Sequence, residues 1–580
     1  MTGTSSNTAL VPNNAANLVV TGSGSARTLT INPAADQFGT STLAVTVNGN
    51  NSQSMTDTFV LTVNPVNDPP SFTKGPDQAV NNNAGMQTVN NWATGISAGP
   101  ANESGQTVTF LVTGNTNPPL FATAPAISST GTLTYTPATN AGGTAAITIV
   151  LQDDGGTANG GQNTSAPQTF NININPVGGF VKFSAANFAT TESSGFTTIT
   201  VKRVGDTSLP VTVDYATGGD SSVPCSTVNG MASPKCDFTE ASGTLRFAAG
   251  EDTKVITVLI TQDSYVEGPE DLTLTLSNAT AFAALGTPST ATLTINDDLN
   301  EPPTNPIDDA PNFVRQHYHD FLNREPDQAG GNYWTGQITQ CGSDQICVRN
   351  KRIDVSNAFF YELEYQQTGA YAYRLYRAAY GNDQPFPNPA PDPQYPGENK
   401  KLVAYQNFAQ DRAQVVGGSS LAQSQSDLAN AFVVRAEFLA KYAASLDGPG
   451  FVDAVLATIK NDIGPDLTSQ RQALMDLFNA GGRGAVLYRL ADDNVQTNPI
   501  NNRSFIDAEY NRAFVATQYF GYLRRDPDIA GFLFWLGQVN SAPLRDVPKQ
   551  HAMVCSFITS AEYQQRFSSV VTHTNAECPR

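Results

Sequence analysis

A chain of 580 residues carrying 51 acidic and 32 basic side chains, net −19, is too long for one hydrophobic core and too acidic for nucleic acid. At about 100–200 residues per domain it should hold about three to five domains, and it has no basic stripe to neutralise phosphates. Charged residues make up only 14% of the chain, a profile that suits extended β-modules better than a cytosolic enzyme.

No apolar run is long enough to span a bilayer. Residues 1–20 lack the basic start and apolar core of a signal peptide. Strand-like sequence begins at once, at Leu18-Val19-Val20 and Thr28-Leu29-Thr30-Ile31, so Met1 reads as the start of a fragment. The six cysteines fall into three short-range pairs, Cys225/Cys236, Cys341/Cys347 and Cys555/Cys578. That spacing predicts disulfides and an oxidising, extracellular or cell-surface compartment. Zinc ligation would show C-x-x-C pairs, and a reactive thiol would stand unpaired near basic groups.

Residues 1–66 read as a partial or small β-module. Thr42 to Val47 and Thr58 to Val63 alternate apolar and polar, the period of a half-buried strand. Asn64-Pro65-Val66-Asn67-Asp68-Pro69-Pro70 ends it, because its prolines remove ladder donors. A second module follows over 67–177, with strands expected at Val108 to Val112, Thr132 to Tyr135, Ala146 to Val150 and Phe170 to Asn175. The Asn67-Asp68-Pro69-Pro70 linker and Asp153-Asp154-Gly155-Gly156 resemble the tandem cadherin-like and immunoglobulin-like modules of large bacterial surface proteins. In cadherins linker acids bind calcium. Here the linker offers only Asp68, so a plain linker turn is expected.

Residues 178–300 hold 14 acidic against 6 basic side chains, a net −8 on about a fifth of the length. A β-sandwich does not need that many acids, but a hard, oxygen-preferring cation does. Strands are expected at Thr197 to Val201, Val211 to Tyr215, Gly243 to Phe247, Lys254 to Val258, Leu272 to Leu276 and Ala291 to Ile295, the spacing of an antiparallel sandwich. Val213-Asp214-Tyr215-Ala216-Thr217, Ser242 to Glu251, Val266 to Leu274 and Ala291 to Asp298 occur in the order found in Calx-beta domains, and the segment resembles that family throughout.

The resemblance implies a calcium site at one end of the sandwich. Its candidate ligands are Glu192, Asp220, Asp237, Asp263, Glu267, Glu270, Asp297 and Asp298, with Tyr265 offering a carbonyl. The expected centre is Glu192, Asp263, Glu267 and Asp297. Gln262 and Ser264 flank a lone Asp263 where the family often has consecutive Asp, and Leu299 replaces the third acid of the closing run. Cys225 and Cys236 lie in an extended loop between Asp220 and Asp237. Few ions and weak affinity are therefore expected, about 10⁻⁴–10⁻³ M as in extracellular modules.

After a linker at 301–311 the composition turns helical and repetitive over 312–580. Phe313, Val314, Arg324, Pro326, Asp327, Gly330 and Trp334 recur 201 residues later as Phe514, Val515, Arg525, Pro527, Asp528, Gly531 and Trp535. A second element ends four times in Glu-aromatic: Glu364-Tyr365, Glu437-Phe438, Glu509-Tyr510 and Glu562-Tyr563. Such helical repeats pack together because one unit cannot bury its own face. The unit resembles a bacterial family of unknown function at the C-termini of secreted and surface proteins, which implies an all-α fold and no chemistry.

His317 and His319 are two apart on a helix and correspond to Gln518 and Phe520 in the second copy, with no catalytic motif beside them. Asp327 and Asp528 are expected to cap helices, with Arg324 and Arg525 pairing locally. Trp334 and Trp535 read as core anchors. The tyrosines from Tyr361 to Tyr380 either present a binding face or line contacts between repeats with their hydroxyls in water.

The reading is multidomain: all-β sandwiches followed by an all-α repeat domain. It describes a calcium-binding structural or adhesive surface protein, not an enzyme. Its helical domain would meet an unknown surface protein or polysaccharide, and neither nucleic acid nor a membrane span is involved. The alternative is a secreted enzyme or a carbohydrate-binding protein with its site in the helical domain.

Overall fold

The computed structural model describes residues 1–49, 53–219, 223–226, 228–280, 282–298, 301–385 and 391–578. The chain forms two compact units, Met1–Phe180 with Thr280–Ala284, and Val181–Ala279 with Leu285–Arg580. The N-terminal part is built of β-sheets and the C-terminal region of helices.

In the first unit, Gly39–Asn48 pairs antiparallel with Thr2–Ser5 and Ser54–Val63, and Leu18–Ser23 forms a hairpin with Ala26–Ile31. Their shared core is small, built on Leu10, Val11, Leu18 and Leu43. The following strands make a sheet ordered Val108–Asn115, Gly143–Asp153, Gln168–Asn175, Gln78–Asn81, and another ordered Phe121–Ile127, Leu133–Pro137, Gln87–Val89. Trp92, Tyr135, Ile147, Ile149, Phe170 and Ile172 fill the space between. The Asn67 amide donates to Asp153 Oδ1 (2.9 Å) and to the Gln162 carbonyl (2.7 Å). These bonds join the linker to the Asp153 corner, where Asp153 Oδ2 is buried with no hydrogen-bond partner.

The second unit opens with a sandwich of two sheets. One runs Phe238–Thr239, Thr253–Ile260, Phe196–Val204, Phe180–Phe183; the other runs Asn187–Thr191, Thr290–Asn296, Glu270–Ser277, Val211–Thr217, Ser242–Phe247. Alternation along Glu270–Ser277 turns Leu272, Leu274 and Leu276 inward, into a core where Val213, Ile256, Val258 and Leu293 are buried too. The same alternation turns Glu270 inward at the end of the strand. A carboxylate continues a hydrophobic row there.

The helical region carries the repeat. Ala310–His317 runs into a wide turn, Tyr318–Leu322, that ends on left-handed Asn323 (φ 55°). Arg503–Gln518 and Tyr519–Leu523 repeat this, ending on Arg524 (φ 50°). A third copy, Gly448–Thr458 with Ile459–Ile463, ends on Gly464. Asp327 and Asp528 cap the next helices by accepting from Gly330 N (2.8 Å) and Gly531 N (2.7 Å). Trp334 and Trp535 pack, half-buried, on the helical core.

The tyrosine-rich helix Gly369–Tyr380 is buried on every side, which corrects the expectation that its hydroxyls lie in water. Tyr371 donates to the Gln425 carbonyl (2.9 Å) and Tyr376 to Asp411 Oδ2 (2.6 Å). A buried phenol needs such a partner, and Tyr371 and Tyr376 have one, whereas the Tyr373 hydroxyl is buried without one.

Candidate metal centre

Strand register assembles one end of the sandwich. Asn187–Thr191 runs parallel to the closing strand, with Thr191 opposite Asn296. The next residue of each, Glu192 and Asp297, therefore enters the same end. Glu270 lies opposite Ile295 in the antiparallel neighbour. The turn before it reaches Asp297, whose Oδ2 accepts from Glu267 N (2.9 Å) and Gly268 N (2.8 Å). From the other sheet, the Asp237 carbonyl accepts from Thr261 N (2.9 Å), which sets Asp237 beside the loop carrying Asp263.

Ligand atoms of Glu192, Asp263 and Glu267 lie within 4.8 Å of one another, and so do those of Asp237, Glu267 and Glu270. Glu267 belongs to both groups. Among the described residues, both groups of three or more metal-competent side chains lie here. Glu192, Asp263 and Glu267 are 4%, 0% and 5% exposed. Glu192 Oε2, Asp263 Oδ2, Glu267 Oε2 and Asp297 Oδ1 are buried with no hydrogen-bond partner.

Leaving carboxylate oxygens buried and unpaired is costly, since an isolated charge loses its hydration. Burial, then the charges of Glu301, Asp297, Asp237 and Glu267, push the Glu192 carboxyl up to about 9. Burial and acidic neighbours, Asp237 first, likewise raise Glu267 to about 8 and Glu270 to about 9. Burial and Glu192 raise Asp263 well above the usual range. Asp237 rises less, to about 6, because the Ser233 N–H partly offsets its burial. A site that strains to protonate four or five carboxyls fits a hard divalent cation, which would neutralise them.

Of the expected ligands, Glu192, Asp237, Asp263, Glu267, Glu270 and Asp297 come together, while Asp220 lies outside the described residues. Asp298 is at the same end, but its oxygens are engaged: Oδ1 accepts from Ser193 Oγ (2.7 Å) and Oδ2 from Gln262 Nε2 (3.0 Å). One acid was missed. Glu301 adds another buried oxygen without a partner, Oε2. Its place three residues after Asp298 was the signal, and it had been assigned to the linker. The Cys225–Cys236, Cys341–Cys347 and Cys555–Cys578 disulfides are all formed.

Residues 177–299 match the Calx-beta domain family. This segment is a Calx-beta domain. Residues 304–346 and 497–567 match a domain of unknown function, DUF4214, and neither family match is to an enzyme. The Calx-beta part of the chain is 33% identical over 127 residues to mouse extracellular matrix organizing protein FRAS1, covering 21% of this chain and 3% of that protein. It is 32% identical over 134 residues to mouse sodium/calcium exchanger 1, covering 20% of this chain and 13% of that protein. The chain thus spans only a small part of either relative. Among solved structures, the apo-form Calx CBD1 domain is 26% identical, covering 20% of this chain and 98% of that one, with a TM-score of 0.18.

Among the described residues, the helical domain shows no comparable group of metal-competent side chains. His317 is fully buried, with Nδ1 on the Phe313 carbonyl (2.7 Å) and Nε2 on Ser356 Oγ (2.8 Å). Burial holds it down, to about 4, so it stays neutral. His319 bonds Glu325 Oε1 (2.5 Å). Both act as packed core residues. Among the described residues, no helix is long and apolar enough to cross a membrane.

Proposed function

We propose that the chain is a calcium-binding structural or adhesive component of an extracellular or bacterial cell-surface protein. In this reading the β-modules act as spacers, and the DUF4214 region is an interaction domain for a surface protein or polysaccharide. The observation that carries it is the set of buried carboxylate oxygens without partners at one end of the Calx-beta domain. Glu192, Asp263, Glu267 and Asp297 would hold the ion, with Asp237 and Glu270 beside them. Bound calcium would supply positive charge and oxygen coordination, and no redox chemistry. The three disulfides support an oxidising compartment.

Calorimetric melting of the full chain tests this. Calcium at about a hundredfold over Kd adds about 2.7 kcal/mol to a protein that binds it only when folded. A melting temperature that rises with millimolar calcium after EDTA treatment is expected, and an unmoved curve would remove the reading. A secreted enzyme or a carbohydrate-binding protein with its site in the helical domain has less support, since neither family match is to an enzyme and Trp334 and Trp535 pack, half-buried, on the helical core.

A further inference from the structure

The chain leaves the sandwich at Asn296 and enters its first helical turn at Pro306. The acids on this strap are not equivalent. Asp298 spends both oxygens on Ser193 and Gln262. Glu301 folds back, its Oε1 accepting from Asp298 N (2.9 Å), and leaves Oε2 buried with no partner. Five such oxygens are then present at this end, on Glu192, Asp263, Glu267, Asp297 and Glu301. Calcium takes about six to eight oxygens, so five carboxylates and a few waters or carbonyls would complete a shell.

Three residues near these acids, Ser264, Tyr265 and Asn305, grip the turn that follows Ala561–Gln564. Next to Asp263, Ser264 N donates to the Phe567 carbonyl (2.9 Å), Ser264 Oγ bonds Ser568 Oγ (2.7 Å) and Tyr265 Oη donates to the Gln565 carbonyl (2.9 Å). On the strap, Asn305 donates to the carbonyls of Gln564 (3.1 Å) and Val570 (3.0 Å). The loop of Asp263 and the strap therefore meet twice, once where Gln262 Nε2 donates to Asp298 Oδ2 (3.0 Å) and once at residues 564–570.

We propose that Glu301 is a ligand of the cation site, so that the strap closes the coordination shell and a divalent cation fastens the helical domain to the Calx-beta domain. The proposal rests on the calcium reading above and adds a residue outside the matched sandwich. An ion shared between Glu301 and the buried acids Glu192 and Glu267 draws together segments that otherwise repel. Removing it frees the strap and loosens the hold on 564–570.

The test is calcium titration of the full chain, with amide hydrogen exchange across 301–306 and 564–570, for the natural protein, Glu301→Gln and Asp298→Asn. Glu301→Gln should weaken calcium binding about tenfold or more and abolish the calcium-dependent protection of both segments. Asp298→Asn removes the same charge from a residue already hydrogen-bonded, and should bind within about twofold of the natural protein. Equal losses in the two variants would reduce the effect to net charge and overturn the assignment. So would unchanged affinity in Glu301→Gln, or binding without protection at 564–570. A natural protein that binds no calcium would instead sink the site itself, an outcome distinct from the others.

Discussion

Asp320 and Arg566 form an ion pair with both side chains fully buried, Oδ2 to Nη1 3.1 Å, and Arg524 shares the same carboxylate at 2.7 Å. Both guanidiniums continue into the Calx-beta domain. Arg524 donates to the carbonyls of Pro234 (2.8 Å) and Phe238 (3.2 Å), and Arg566 to that of Lys235 (3.1 Å). One buried carboxylate in the helical domain thus holds two cations that frame Asp237. Burial alone would raise the Asp320 carboxyl, but Arg566 and Arg524 hold it below the usual carboxylate range.

Asp320→Asn should therefore destabilise far beyond a lost hydrogen bond. Breaking a buried pair leaves a charge uncompensated, at a cost of about 3–5 kcal/mol. Urea unfolding of the full chain reads this directly. A loss under about 1 kcal/mol would mean that water reaches the guanidiniums once the carboxylate is gone.

The acid cluster predicts an inverted pH profile for the calcium-free protein. Glu192, Glu267 and Glu270 have folded values near 9, 8 and 9, against 4.5 for an unperturbed Glu. The folded state then binds more protons than the unfolded one between about pH 4.5 and 9, and stability falls as pH rises across that window. In EDTA the melting temperature of the Calx-beta transition should be lower at pH 9 than at pH 6. With calcium the decline should shrink or reverse, because the ion binds the deprotonated form. A flat EDTA profile would show that the carboxyls are solvated.

The repeated Glu-aromatic elements place three glutamates on arginines. Arg324 makes two bonds to Glu364 (2.7 and 2.8 Å), Arg525 two to Glu562 (2.5 and 2.9 Å) and Arg377 two to Glu509 (2.9 and 3.0 Å). Geometry is shared, but burial is not: the Arg377 and Glu509 side chains are each 2% exposed, those of Arg324 and Glu364 37% and 27%. Glu509→Gln should cost about 3–5 kcal/mol, and Glu364→Gln about 0–1 kcal/mol. Similar losses in denaturant titrations would show that the motif, not burial, sets the energy.

The sandwich was legible because its strands alternate strictly, and Thr197 to Val201 or Leu272 to Leu276 need no distant partner to be recognised. Phe180–Phe183 and Asn187–Thr191 were not expected as strands. Both are short, and Asn187–Thr191 exists only through parallel pairing with residues about a hundred positions later. The site residues were legible as a group, through order and type. Which oxygen of the closing run turns inward was not, because Ser193 and Gln262 decide it for Asp298. In the helical repeat, Arg324 and Arg525 recurred together with Glu364 and Glu562, so the pairs were present in the pattern. Expecting Arg324 and Arg525 to pair locally concealed them, because their partners lie 40 and 37 residues away. The tyrosines of Gly369–Tyr380 misled for a related reason: a helix wrapped on all sides shows no polar face, and Tyr371 and Tyr376 find a carbonyl and a carboxylate that local sequence cannot display.

Glu192 gives the sharpest separation between a metal site and a mere acidic rim. It enters from the parallel strand, it is almost fully buried, and its Oε2 has no partner. Glu192→Gln removes a like charge, worth about 1–4 kcal/mol per neighbouring pair at roughly 4 Å and effective dielectrics of 80 to 20. In EDTA at pH 9 the variant should therefore melt higher than the natural protein. In calcium the order should reverse, because the ion loses a ligand and its affinity falls on the order of tenfold. Only a bound cation produces opposite signs in the two buffers. Melting temperatures that rise equally in both would leave an acidic rim relieved of repulsion and nothing more.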